Sequence, residues 1–269
     1  MSRGFAESTT LGFARALTRA MLSERTARQR GLLQSLDPRV RLIGLFALVL
    51  AVTISRRMAV VAALFIVAIT IALLSNVSIV TLAKRVWLIV LGFTGVIALP
   101  AIFVTPGNPV AAWGSVVVTE QGLRAAAMLI LRVETAVTLT TVLVLCTPWP
   151  HVLKALRTLR LPKEVIVMLA MTYRYVLLLV ETASQMFESR RSRTVGTLSP
   201  AEQRRMASRT AGVLLSKSVE MGNEVYLAMQ SRGFHGDVQV LSEFRPTMWD
   251  YCALLSFLAV ASAAVWLGR

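Results

Sequence analysis

Apolar residues run along this chain in long uncharged blocks, each bounded by arginine, lysine, proline or glycine. The first block, 42–54, is thirteen residues. That is about 20 Å of helix against a hydrocarbon core of about 30 Å, so it spans only if Arg39 and Arg41 snorkel at its head. An Asp37-Pro38 pair before it reads as an N-cap with proline at the first helical position. After Arg56 and Arg57, residues 58–83 are uncharged and long enough for a second span, with Lys84 and Arg85 as its edge. A third span follows over 86–104, closed by Pro100 and by the turn residues Pro106 to Pro109. Residues 110–119, with Trp113 and Gly114, read as an interfacial loop. A fourth span, 122–146, carries Arg124, Arg132 and Glu134, which are candidate intramembrane polar contacts because charges inside a span face protein or water. A last span covers 251–267.

Between residues 147 and 245 the pattern becomes amphipathic and carries fourteen basic and eight acidic side chains. Pro148 and Pro150 end the membrane run. The spacing then predicts a short amphipathic helix over 151–160, a break at Pro162, and a long helix over 163–193 whose first half, VIVMLAMTYRYVLLLV, is apolar enough for the membrane interface. Ser199-Pro200-Ala201-Glu202 is a capping box opening the next helix. Met206, Thr210, Val213, Leu214, Met221, Val225 and Ala228 recur at three- and four-residue steps as its packed face. The helix closes with Arg232 in its last turn and Gly233 just beyond. There a cation complements the macrodipole and glycine accepts the left-handed turn. Arginine then glycine is ordinary capping chemistry, yet Ser192-Arg193-Thr194 repeats the small-Arg-small pattern at the end of the preceding helix.

Composition fixes the class. Hydrophobic residues make up 55% of the 269, and the mean hydropathy is +0.65. This is the profile of an all-α polytopic membrane protein, with about five transmembrane helices and a cytoplasmic domain of long amphipathic helices. The divisions are a basic N-terminal cytoplasmic or interfacial segment 1–41, transmembrane helices over 42–146, cytoplasmic helices over 147–245 and a C-terminal transmembrane helix over 246–269. The N-terminal segment fits either a helix on the membrane surface or a solvated tail. Net charge is +15, and residues 1–41 and 147–245 hold 22 of the 29 Lys and Arg, which places both regions in the cytoplasm. Anionic lipid headgroups account for such an excess beside apolar spans, and no basic, aromatic-interleaved domain points to nucleic acid. Cys146 and Cys252, with His151 and His235, make neither a disulfide framework nor a metal site.

The stretch AMQSRGFHG resembles the signature of the transmembrane T component of energy-coupling factor (ECF) transporters, the CbiQ/EcfT family. SLDPRVRL, LRTLRLPKE and MTYRYVLLLVE fall in the family's order, so the resemblance covers residues 35 to 268. It implies a non-catalytic coupling subunit, multi-pass in the cell inner membrane. Ser192, Arg193 and Thr194, and Ser231, Arg232 and Gly233, would engage two ABC-type ATPases. Thr194 stands where the family places glycine. The same resemblance implies a partner S component that captures a vitamin or a metal ion. The forms SRGFHG and LRLP are similar to the metal-type branch, for cobalt or nickel. No GxxxxGK[ST] and no intramembrane His, Asp or Glu set occurs, so energy and substrate recognition would come from partners, and no cofactor is expected. A self-contained channel lined by Arg124, Arg132 and Glu134 is the second reading. An intramembrane enzyme is the third, and neither HExxH nor GxSxG supports it.

Overall fold

A computed structural model describes residues 31–105, 108–113, 116–158, 161–193, 199–234 and 247–269. The expectations for the N-terminal segment, Thr194, His235 and the turn at Pro106–Gly107 lie outside those residues. The described residues divide into two compact units, one over 31–155 with 247–269 and one over 156–234.

The first unit is a helical bundle. After a short turn of helix α1 (Leu32–Ser35), α2 (Pro38–Ile54) starts as its residues dictate: the Asp37 carboxylate accepts from the Arg39 N–H at 2.8 Å, with proline at the first position. Helix α3 (Met58–Leu74) ends nine residues short of the expected span. Asn76 takes the left-handed conformation at φ 55°, the Val77 N–H reaches back to the Ala72 carbonyl at 3.0 Å, and the Asn76 N–H reaches Leu73 at 3.0 Å. That paired pattern is a Schellman cap with asparagine in place of glycine. A new helix, α4 (Ile79–Leu82), continues through a π stretch, Ala83–Trp87, into α5 (Leu88–Val104). Lys84 therefore lies within a continuous helix, and Pro100 lies inside α5 instead of closing it.

The expected interfacial loop is a β-hairpin, β1 (Pro109–Trp113) against β2 (Val116–Thr119), antiparallel with Trp113 opposite Val116. The β-branched run VVVT favours an extended ribbon once the chain must turn. The Thr119 hydroxyl then caps α6 (Glu120–Cys146) by accepting from the Gly122 N–H at 3.1 Å, and donates to the Thr105 carbonyl at 2.8 Å. α7 (Trp149–Thr158) leads out of the bundle, and α10 (Met248–Gly268) returns to it.

The core is formed by Leu45, Leu48 and Val52 of α2, Val61, Leu64 and Ala68 of α3, Leu139 and Val142 of α6, and Ala261 and Ala264 of α10. α2 and α10 approach most closely at Gly44, where a Cβ would meet the Phe257 ring at 2.6 Å. Phe93, on the outer side of α5, is 72% exposed. Apolar surface of this kind faces lipid in a membrane protein. By length and composition, α6, α10 and Glu164–Arg190, in the long helix that opens the second unit, can each cross a membrane, and α3 and part of α5 are shorter apolar helices. The chain is an all-α polytopic membrane protein with one small hairpin among the described residues.

The second unit is built on two long helices, α8 (Lys163–Ser192) and α9 (Pro200–Ser231). The predicted capping box is present: the Glu202 N–H donates to Ser199 Oγ at 3.3 Å, and the Ser199 N–H donates to the Glu202 carboxylate at 2.9 Å.

Candidate functional site

α8 and α9 are joined by seven residues, 193–199, so the end of one lies near the start of the other. Met171, Tyr175 and Leu179 of α8 line a cavity of about 330 Å³ together with Ser218, Met221, Val225 and Met229 of α9. Residues early in α8 thus meet residues late in α9, and the helices run antiparallel. Ala183 and Phe187 of α8 and Thr210 of α9 are buried. The face predicted from Met206 to Ala228 is only partly realised: Met206, Leu214, Met221 and Val225 are half-buried, whereas Val213 and Ala228 are exposed. The methionines serve packing, as their spacing indicates.

The two arginine tips lie at the ends of this pair. α9 closes at Ser231 with Arg232 as the capping residue, one residue earlier than its pattern indicates. Gly233 has φ +75°, the Phe234 N–H donates to the Met229 carbonyl at 3.0 Å, and the Gly233 N–H donates to the Gln230 carbonyl at 3.0 Å. This is a full Schellman cap, which satisfies the Met229 and Gln230 carbonyls with backbone alone and leaves the guanidinium free of that task. Nothing lies within 4 Å of where a Gly233 Cβ would be, so conformation and not space calls for glycine there. Arg193 follows the last turn of α8, and its N–H donates to the Arg190 carbonyl at 3.1 Å. Both arginines are exposed, and neither side chain has a hydrogen-bond or ion-pair partner among the described residues. In the antiparallel pair Arg232 comes level with the first turns of α8, so along the helix axis the two lie roughly 35–40 Å apart at 1.5 Å per residue. Ser192 and Ser231 turn their hydroxyls inward, to the Ser189 and Ala228 carbonyls at 2.9 and 3.0 Å.

Arg124, Arg132 and Glu134 of α6 lie in three different surroundings. Arg124 is exposed. Arg132 donates from Nη2 to the Ser55 carbonyl at 2.7 Å. Glu134 is buried, with neither carboxylate oxygen hydrogen-bonded. Among the described residues no cluster of three or more His, Cys, Asp or Glu could hold a metal ion.

A polar hub at one end of the bundle escaped the sequence reading. Arg41 is 3% exposed and does not snorkel. Its guanidinium donates to the Cys146 carbonyl at 2.8 Å, the Gln34 carbonyl at 3.0 Å, and the Leu36 carbonyl at 2.9 and 2.6 Å. Beside it the Asp250 carboxylate accepts from the Asp37 N–H at 2.7 Å and from the Thr247 N–H at 2.8 Å, joining the starts of α2 and α10. Gln34 donates to the Ser75 carbonyl at 2.9 Å. One guanidinium, one carboxylate and one amide thus tie five helix ends. The available signal was Thr247-x-x-Asp250, a capping-box spacing before an apolar run.

Taken together, the folded chain is a multi-helix membrane protein with a separate helical pair that carries two exposed arginine tips. The model of the CbiQ family, described as cobalt transport protein, matches residues 29–241, and the chain belongs to that family. An uncharacterized protein of Methanocaldococcus jannaschii is 30% identical over 251 residues, covering 91% of this chain and 86% of that protein. The cobalt transport protein CbiQ of Rhodobacter capsulatus is 32% identical over 125 residues, 45% of this chain and 50% of its own length. The protein is therefore a membrane component of a transport family, which is not a family of enzymes.

Proposed function

We propose that this chain is the transmembrane coupling subunit of an ECF-type importer, with cobalt or nickel as the cargo. Two cytoplasmic ABC-type ATPases bind the arginine tips, and their ATP-driven motion passes through α8 and α9 to a substrate-binding membrane subunit. The reading rests on one observation: two unpartnered, exposed arginines at opposite ends of one antiparallel helix pair. Ends so far apart suit two separate docking grooves, where each guanidinium meets carboxylates or helix-end carbonyls. Packed helices shift as units, so a change in the distance between the grooves moves the pair as a whole. The absence of a phosphate-binding loop in the sequence assigns hydrolysis to the partners. The metal cargo is inferred from the family and from the Rhodobacter relative. In this reading the N-terminus and the arginine ends of the pair lie on the cytoplasmic side of the inner membrane that holds the bundle, with the apolar first half of α8 at the membrane interface.

Co-purification from native membranes tests this. Wild-type chain is expected to bring down an ABC ATPase pair and a small membrane protein. Arg232→Ala should leave the chain inserted yet weaken ATPase association by about 2 to 5 kcal/mol, the cost of removing one partner of a buried charge contact. Full assembly and uptake by the Arg193→Ala/Arg232→Ala double variant would overturn the proposal. A channel would instead transport metal from the purified chain alone in liposomes.

A further inference from the structure

The end of the bundle opposite the Arg41–Asp250 hub holds a second concentration of cations. α2 and α3 are joined by Ser55, Arg56 and Arg57, and this turn is fixed by its backbone. The Arg56 N–H donates to the Gly268 carbonyl at 2.8 Å, the Ser55 hydroxyl to the Ala51 carbonyl at 2.7 Å, and Arg132 to the Ser55 carbonyl. The turn packs so tightly on α10 that a Cβ at Gly268 would meet Ser55 Oγ at 2.7 Å. The side chains are left over: Arg56 and Arg57 are exposed and have no hydrogen-bond or ion-pair partner among the described residues. Arg269 lies at the same end, and the Arg132 Nε is buried without an acceptor. No acidic residue occurs in 38–74, 121–133 or 251–269, the segments that meet here.

Depth identifies the occupant. α2 and α3 have 17 residues each, about 25 Å, so the turn comes close to the far boundary of a hydrocarbon core of about 30 Å when the hub lies at the near one. The residues flanking the arginines are apolar and exposed: Ile54, Met58, Leu267 and, at 79%, Trp266. Tryptophan at that level is the ordinary marker of the headgroup region, and apolar side chains beneath unpaired guanidiniums offer acyl chains a surface below the phosphate. A protein partner would need carboxylates at headgroup depth, whereas a phospholipid supplies anion and chain together. We infer that the Ser55–Arg57 turn, with Arg132 behind it, binds the phosphate of an anionic phospholipid. The site gives these arginines a function on the end of the bundle where a positive-inside bias would not place them.

The test uses the full chain in neutral detergent, in whatever assembly purifies with it. Native mass spectrometry reads the occupancy of phosphatidylglycerol against phosphatidylcholine. The variant is Arg56→Gln/Arg57→Gln, which preserves the backbone bonds that fix the turn, and the control is Arg204→Gln/Arg205→Gln on α9. One phosphatidylglycerol retained at high collision energy by wild type and control, with at least a tenfold loss of occupancy in the variant, is the expected result. Equal retention of phosphatidylcholine, or an equal loss in the control, would overturn the proposal. So would full displacement of the lipid by millimolar inorganic phosphate, which would make the site one for the free ion.

Discussion

At the Arg41–Asp250 end of the bundle, charged groups turn inward and bond to their own chain, whereas in the α8–α9 pair the arginines at the ends turn outward and have no side-chain partner among the described residues. Arg41 and Arg232 show the contrast in one residue type. Arg41 is buried and gives its donors to three carbonyls of its own chain. Arg232 is exposed at a helix end whose Met229 and Gln230 carbonyls are already closed by backbone N–H groups. An arginine that completes the fold has its partners in the fold, and one that the fold leaves idle is available to another molecule.

The contrast is broken most forcefully at Arg41. Arg41→Ala leaves carbonyls of Gln34, Leu36 and Cys146 buried without donors, and loss of one member of a buried charged network costs about 3–5 kcal/mol. Thermal unfolding in detergent should show a large drop in midpoint or failure to insert. Arg232→Ala should leave the midpoint unchanged while ATPase recovery falls. Equal thermal effects of the two substitutions would erase the distinction. Packing within the bundle gives a smaller effect. Gly44→Leu drives a side chain into the Phe257 ring, and overpacking of this kind costs about 1–3 kcal/mol. Combining it with Phe257→Ala should recover part of the loss in the same melt.

At the helix pair the largest local effect is at Gly233. An alanine there must hold φ +75°, at a cost of about 1–2 kcal/mol, although no atom obstructs it. Hydrogen exchange should quicken at Gly233 and Phe234 while the bundle amides keep their protection. If ATPase recovery also falls, the cap positions Arg232. If exchange is unchanged, the left-handed turn is not what holds the tip.

These residues also show what a sequence can convey. Capping chemistry is local, and the Asp37-Pro38 start, the Ser199–Glu202 box and the Gly233 cap could each be read from three or four adjacent letters. The same local reading reached only as far as the letters were distinctive. Asn76 ends α3 with the hydrogen bonds that Gly233 uses, but it lies in an uncharged run where length alone favoured a longer span. Pro100 reads as a terminator, because a missing N–H does not reveal whether neighbouring helices support the break. The hub was illegible for a different reason: Arg41 and Asp250 are more than two hundred residues apart, and no pattern along one helix announces a partner on another. The exposed tips were more legible because their role in the fold is small.

The mildest probe of the comparison is acid. The Glu202 carboxyl is held below its usual value of 4.5, first by the N–H of Ser199 and then by its hydroxyl. A carboxylate depressed in the folded state contributes stability that is fully present above the usual value and is lost as pH falls through the lowered one. Protection factors at the first amides of α9 should therefore hold steady down to about the ordinary carboxylate range and decline below it, the only part of the pair with that dependence on the Ser199–Glu202 bonds. Glu202→Gln removes the titrating group, so its protection at those amides should lose the acid-dependent decline. A wild-type profile that stays flat well below pH 4.5 would mean that Pro200 and the packing of α9 on α8 define this helix start without the carboxylate.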